Sequence, residues 1–222
     1  MNKDQPMNDD QKPVEERRES AIKDEGRLML EGHIRIYDPE TGEDYVNKRN
    51  AIHFENFSEA LALSVGNKTT GFIHEMAFGN GGTSVDPTGV ITYLPANSSG
   101  VNAALYNQTY YKVVDDNSSL NTDSTRNDME IRHTTGQVYT DIVISCLLDY
   151  GEPSGQQAFD NTENFDGTYV FDELGLKAWN GTVNTGKLLT HVVFHPVQKS
   201  LNRLIRIDYT IRVQTLTALT SI

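Results

Sequence analysis

Leu204–Thr215 reads LIRIDYTIRVQT, and its alternation decides the fold class. Ile205, Ile207, Tyr209, Ile211 and Val213 fall on one side, with Arg206, Asp208, Thr210, Arg212 and Gln214 on the other. A period of two marks a strand with one buried face, and the run is too regular for a helix, whose apolar positions recur every three to four residues. The first set is assigned to the core. The outward charges are assigned to a solvated or interfacial face rather than to catalysis.

The same pattern recurs upstream. In RLMLEGHIRIYD (27–38), Leu28, Leu30, Ile34 and Ile36 alternate with Arg27, Met29, Glu31, His33 and Arg35. The turn Asp38-Pro39-Glu40-Thr41-Gly42 then returns the chain into Glu43–Asn47, closing a hairpin. FIHEMAF, VITYL, ALYNQTYYKVV, DMEIRH, QVYTDIVISCLL and TYVFDELGLKAW add further strands, separated by Gly-, Asn- and Pro-rich turns. One helix is expected, NFSEALALSVG, capped by Asn56 or Ser58 and ended by Gly66. Ala60, Leu61 and Leu63 would pack inward, with Val65 nearby. Eight to ten short strands and one short helix predict a mainly β chain, a single β-sandwich or barrel-like domain over 27–222. Residues 1–26 form an extended charged N-terminal arm, with Pro6 and Pro13 and almost no apolar face in VEERRESAIKDEG.

Composition narrows the function classes. The net charge of −12 lies mostly on the body, since residues 1–27 set six Lys/Arg against eight Asp/Glu. That field repels phosphate backbones, so no nucleic-acid partner is expected. No run approaches the roughly 18–20 apolar residues of a membrane helix, and the N-terminus lacks the apolar core of a secretory signal, so no membrane partner is expected either. The six Asn-x-Ser/Thr triplets, at Asn56, Asn67, Asn97, Asn107, Asn117 and Asn180, are then features of polar loops rather than glycan acceptors. The lone Cys146 sits in an apolar strand and is expected to be a core thiol.

Signals of chemistry are weak. FGNGGTS follows a strand but precedes no helical pattern and holds no Lys, so it is taken as a turn rather than a phosphate loop. His191 and His195 share four-residue spacing, yet on an extended THVVFHP they would stand about 13 Å apart, too far for one metal. Paired carboxylates such as Asp115-Asp116 and Asp172-Glu173 are expected from acidity alone. DDNSSLNTD lacks the spacing of an EF-hand loop. No catalytic residue, cofactor site or metal site is assigned, and the chain is not expected to be an enzyme.

Four segments carry a family resemblance. GFIHEMAFGNGGTS (71–84) resembles a strand-and-glycine-loop segment of phage tail-fibre attachment and collar proteins. NAALYNQTYYKVV (102–114) resembles the Ala-Leu pair and aromatic strand that follow it. FDELGLKAWNG (171–181) resembles their E-x-G-L turn, and KLLTHVVFHPVQKSLNRLIRIDYTIRV (187–213) their glycine-led L-L strand and closing hairpin. The resemblance covers about two-thirds of the chain and rests on structural motifs alone. It implies a structural virion protein of a tailed bacteriophage, made in the host cytoplasm, at the neck, collar, tail or baseplate and anchoring fibres. The expected partners are further copies of itself, in a ring or other homo-oligomer, and neck, tail or fibre subunits. The chain departs from that pattern in its added charged arm and in ending soon after the domain, which points to an adaptor rather than a complete fibre. Contacts are expected from the arm and from loops 79–89, 115–128 and 151–166. Two other readings stay open: a capsid decoration protein, and a carbohydrate-binding module using Tyr106, Tyr110, Tyr111, Tyr139 and Trp179 as stacking platforms.

Overall fold

Twelve strands and one helix make up the computed structural model, which describes residues 26–100, 102–153 and 168–217. In chain order they are β1 (Gly26–Tyr37), β2 (Asp44–Arg49), β3 (Ala51–Ile52), α1 (Phe54–Val65), β4 (Ile73–Gly79), β5 (Thr83–Val85) and β6 (Ile91–Tyr93). There follow β7 (Gln108–Val113), β8 (Asp128–His133), β9 (Tyr139–Leu148), β10 (Thr168–Ala178), β11 (Thr190–Ser200) and β12 (Ile205–Thr217). Sheet one has the order β2-β1-β12-β9-β8 and sheet two the order β3-β11-β10-β4-β7, while β5 and β6 pair only with each other. Every pairing between these strands is antiparallel. The sequence left sandwich and barrel open; two separate five-stranded sheets sharing one core make a β-sandwich-like domain. The extra strands are the short β3 and β5, two and three residues long, below the length at which alternation can be recognised.

β12 holds the centre of sheet one. It pairs with β1 from Gly26↔Thr217 to Tyr37↔Arg206, and with β9 from Ile205↔Leu148 to Gln214↔Tyr139. Ile205, Ile207, Tyr209 and Ile211 are fully buried, as are Ile34, Ile36, Ile144 and Cys146 beside them. Met76, Phe78, Phe171, Leu174, Leu176 and Phe194 face them from sheet two. At roughly 1.5–3 kcal/mol for each large apolar side chain, this layer is the main driving force of folding.

Three local expectations need correction. The helix starts earlier, at Phe54, and its N-cap is His53, whose Nδ1 accepts the Asn56 amide at 3.2 Å. Asn56, Phe57 and Ala60 form its buried face, whereas Val65 is exposed. At the other end Gly66 (φ −73°) is the C-cap, as expected, and the left-handed residue is Asn67 just beyond it (φ 53°). The Lys68 amide reaches Leu63 O at 2.9 Å and the Asn67 amide reaches Ser64 O at 3.1 Å, the paired bonds of a Schellman cap. Second, Glu173-Leu174-Gly175-Leu176 is no turn but the middle of β10. Gly175 is there for space, since a Cβ would come within 2.5 Å of Leu188 Cδ1 and Thr190 O. Third, β11 continues through Pro196. Phe171↔Val197 is followed by Glu173↔Val193, so β11 bulges opposite Asp172, and the bulge accommodates a residue with no N–H to donate.

Candidate functional site

The outer face of sheet two carries the acidic pair Asp172-Glu173, which the sequence attributed to acidity alone. The bulge beside Phe171 turns Asp172 and Glu173 under the glycine loop, where they are 3% and 0% exposed. Asp172 accepts the amides of Gly82 at 2.9 Å and Thr83 at 2.8 Å, and the Thr83 hydroxyl as well. Glu173 accepts the amides of Gly81 at 3.1 Å, Tyr106 at 2.9 Å and Asn107 at 2.8 Å. Its fourth partner, His191, lies 3.0 Å away through Nε2. Because His191 Nδ1 accepts the Asn97 amide at 2.7 Å, the ring hydrogen sits on Nε2 and is donated to Glu173. The glycines make this approach possible: a Cβ at Gly79 would stand 2.4 Å from Glu173 Oε1, and one at Gly82 2.9 Å from Val193 Cγ1.

Electrostatics follow from these contacts. Burial pushes the Glu173 carboxyl up, but the bonds from His191 and from the Asn107 and Tyr106 amides outweigh it and hold the group below the ordinary glutamate value. For Asp172 burial wins, and its carboxyl is raised despite Thr83 and Gly82. The cluster is a clasp. It fastens the loops at 79–83 and 97–107 to β10 and β11, with its oxygens already committed to protein donors.

Comparison of the chain with models of known families, with curated proteins and with solved structures returns no match. Its own geometry therefore has to carry the functional argument.

The residues weighed for chemistry are dispersed. His195 Nδ1 meets the Tyr93 hydroxyl at 3.2 Å, apart from the clasp that holds His191. Among the described residues no group of three His, Cys, Asp or Glu side chains is placed to share a metal ion. Cys146 is fully buried and desolvation pushes its thiol up to about 12, which suppresses the thiolate. Asp115 is buried and tied to its own loop through the Asn117 amide at 3.0 Å. Of the aromatic residues, Tyr110 is core, Trp179 lies against His74 with ring centroids 4.3 Å apart, and the Arg212 guanidinium covers the Tyr139 ring at 4.1 Å. Tyr106 is 39% exposed and its hydroxyl donates to Pro95 O at 2.6 Å.

The largest functional candidate is a face. The outward side of sheet one is uncovered by any described helix or strand and carries a ladder of opposite charges. Arg212 meets Asp141 with two bonds at 2.7 and 2.8 Å, and Arg35 meets Asp44 at 2.6 Å. Arg206 lies between Asp208 at 3.2 Å and Asp128 at 4.0 Å, and Arg132 meets Glu130 at 2.6 Å. The Arg212 bond holds the Asp141 carboxyl below its usual range. A charge-balanced, flat face lets another copy approach a strongly acidic chain without meeting like charge.

The expected contact loops fare differently. Loop 79–89 divides into the buried clasp and an exposed hairpin, with Val85 and Val90 about 60% exposed. Loop 115–128 is largely exposed, as expected, but it is pinned to the sheet from within. Asn121 bonds Asp115 O and Asn127 O, Asn127 accepts the Leu147 amide at 2.9 Å, and Arg126 joins Asp123 to Asp149. Asp116, Asn117, Ser119, Leu120, Thr122, Ser124, Thr125 and Arg126 face outward from that frame. Of the arm, residues 1–26, all but Gly26 lie outside the described residues, as does most of loop 151–166.

Proposed function

We propose that this chain is a structural subunit of a tailed-phage particle, at the neck, collar, tail or baseplate, and that it acts by assembly with further copies and neighbouring virion proteins, anchoring fibres. One observation carries the reading: the four segments that resemble tail-fibre attachment and collar proteins come together at the clasp. GFIHEMAFGNGGTS supplies Gly81, Gly82 and Thr83; NAALYNQTYYKVV supplies Tyr106 and Asn107; FDELGLKAWNG supplies Asp172 and Glu173; and the last segment supplies His191. Residues far apart in sequence thus belong to one framework within this chain. The open, charge-balanced face of sheet one is the kind of surface such a framework presents to a neighbour.

The test is mass spectrometry of gradient-purified virions, normalised to the major capsid protein. On the order of ten copies per particle is expected for a closed ring around the tail axis. Hundreds of copies would replace this reading with capsid decoration, and absence from the particle would overturn it.

A further inference from the structure

A sheet edge is a row of unpaired N–H and C=O groups, and proteins that stay monomeric blunt such edges with bulges, very short strands or charges pointing inward. Three of the four edges here are blunted in these ways. On β2, Lys48 lies opposite Ile34 on the core-facing side, its Nζ donates to Val193 O at 2.9 Å, and the register shifts at Ile36/Tyr37. On β7, Lys112 lies opposite Met76, its Nζ donates to Leu147 O at 2.7 Å, and the register shifts at Phe78/Gly79. β3 is two residues long, and the strand behind it bulges at Pro196.

β8 carries none of these devices. It pairs with β9 without a shift from Asp128↔Ser145 to His133↔Thr140. Its core-side positions are Met129, Ile131 and the terminal His133, opposite Ile144, Ile142 and Thr140. Ile131 is 64% exposed, beside a groove of about 320 Å³ whose apolar walls include Phe57, Leu61, Phe72 and Ile142. Among the described residues nothing hydrogen-bonds the outer edge of β8.

We propose that a second copy of this chain docks on β8, antiparallel about a two-fold axis through Ile131, so that the two copies of sheet one become a single continuous sheet. Charge selects both the partner and the register. Residues directly opposite in an antiparallel pair share a face, so a self-pairing must centre on one residue. Centred on Glu130, the pairing sets two glutamates against each other, which is destabilising. Centred on Ile131, it sets Glu130 of each copy opposite Arg132 of the other, twice, and brings the two Ile131 side chains together on the apolar side. Glu130 and Arg132 already meet at 2.6 Å within one copy, so the pairs are exchanged across the axis without new charge being buried. Such a contact is isologous and closes on itself.

This deepens the assembly role proposed above and rests on it for context, but it is tested in solution, where a failed interface and a failed virion assignment are separate results. The full chain is examined by sedimentation velocity from about 1 to about 100 μM, where a dimer with dissociation constant on the order of micromolar is expected. Ile131→Lys places a charge on the inward side and should leave a monomer with unchanged circular dichroism. Arg132→Glu alone should weaken the dimer by roughly tenfold or more, about 1.4 kcal/mol. Adding Glu130→Arg should restore it. Ile131→Cys should give a disulfide-linked dimer on oxidation, since facing Cα atoms about 4.5–5.5 Å apart lie within disulfide reach; Cys146 is buried, so the unmodified chain is the control. A chain monomeric throughout, an oligomer indifferent to Ile131→Lys, or a double charge swap no tighter than the single would overturn the proposal.

Discussion

Glu173 shows how one side chain can organise residues nearly a hundred positions away. It and Asp172 together accept from the amides of Gly81, Gly82, Thr83, Tyr106 and Asn107, and losing an acceptor there leaves buried N–H groups unpaired at about 1–3 kcal/mol each. Glu173→Gln keeps the shape but turns an NH₂ toward donors. Urea denaturation should show a loss of roughly 2–4 kcal/mol, and a loss below 0.5 kcal/mol, the size of an ordinary surface change, would contradict the clasp. The signal was present in the sequence as two acids inside the apolar run YVFDELGL, since buried carboxylates need donors and a glycine loop supplies bare amides. Acidity elsewhere in the chain masked it, and sequence spacing cannot show which loop folds back. Lys199 makes a second case. It is fully buried, donates to Asp149 O at 3.0 Å and Ser200 O at 2.8 Å, and desolvation lowers its pKa to about 8, against the pull of Glu152 and Asp149. A lysine that releases its proton earlier in the folded state than in the unfolded chain costs stability fully below about pH 8. Between about 8 and the ordinary lysine value near 10.4 the unfolded chain binds more protons, so stability rises with pH. The difference in unfolding free energy between the wild type and Lys199→Met should therefore climb through that window by up to about 1.4 kcal/mol per pH unit. A flat difference would show that Lys199 titrates normally.

Elements were legible in proportion to how one-sided their burial is. β12 and the second half of β1 bury one face and alternate clearly, while β9, buried on both faces over its last six residues, is marked by its apolar run instead, and all three were found with boundaries close to those observed. β4 is buried at every position and β10 passes under the clasp, so neither alternates, and the E-L-G-L stretch was taken for a turn. For α1 the length, the buried Ala60 and the end at Gly66 were predictable, but the N-cap was misassigned, because capping preference ranks residue types while the fold decides which residue faces the helix end. His53 was chosen by two bonds at once: Nδ1 accepts the Asn56 amide, and Nε2 donates to Gly100 O at 2.8 Å. His53→Ala should thus cost about 1–3 kcal/mol in thermal or chemical unfolding, above the usual value of about 1 for a cap alone. Asn67→Gly should be near neutral, because glycine takes a positive φ freely, while Asn67→Ala should cost about 1 kcal/mol. Equal effects of the two Asn67 substitutions would argue against the left-handed cap.

At the scale of the molecule, the connectivity makes the fold depend on its last strand. β12 lies between β1 and β9, so the β1–β2 pair joins β9 and β8 only through this last strand. The sequence could give the β class but not this order, because alternation defines a strand's faces and is silent about its neighbours. Sheet two is equally non-local, with β10 pairing to β4 and β11 to β3 across long intervals. No half of the chain can close the core between the sheets, so opening should be global for the central strands and local only where pairing is isolated. The isolated piece is the β5–β6 hairpin, which is bonded to neither sheet ladder and has Val85 and Tyr93 half-exposed or more. Hydrogen exchange should therefore find the amides of β9 and β12, together with those of Leu174 and Leu176 in β10, exchanging only with global unfolding, and those of β5 and β6 exchanging orders of magnitude faster. Thr83 is the informative exception. Its amide is bonded to Asp172 at 2.8 Å, so it should exchange with the slow group although it opens β5. If Thr83 exchanged as fast as Val85, the clasp would be opening with the hairpin rather than anchoring it. If β12 exchanged faster than β9, the terminal strand would be a late addition to a sheet that holds without it.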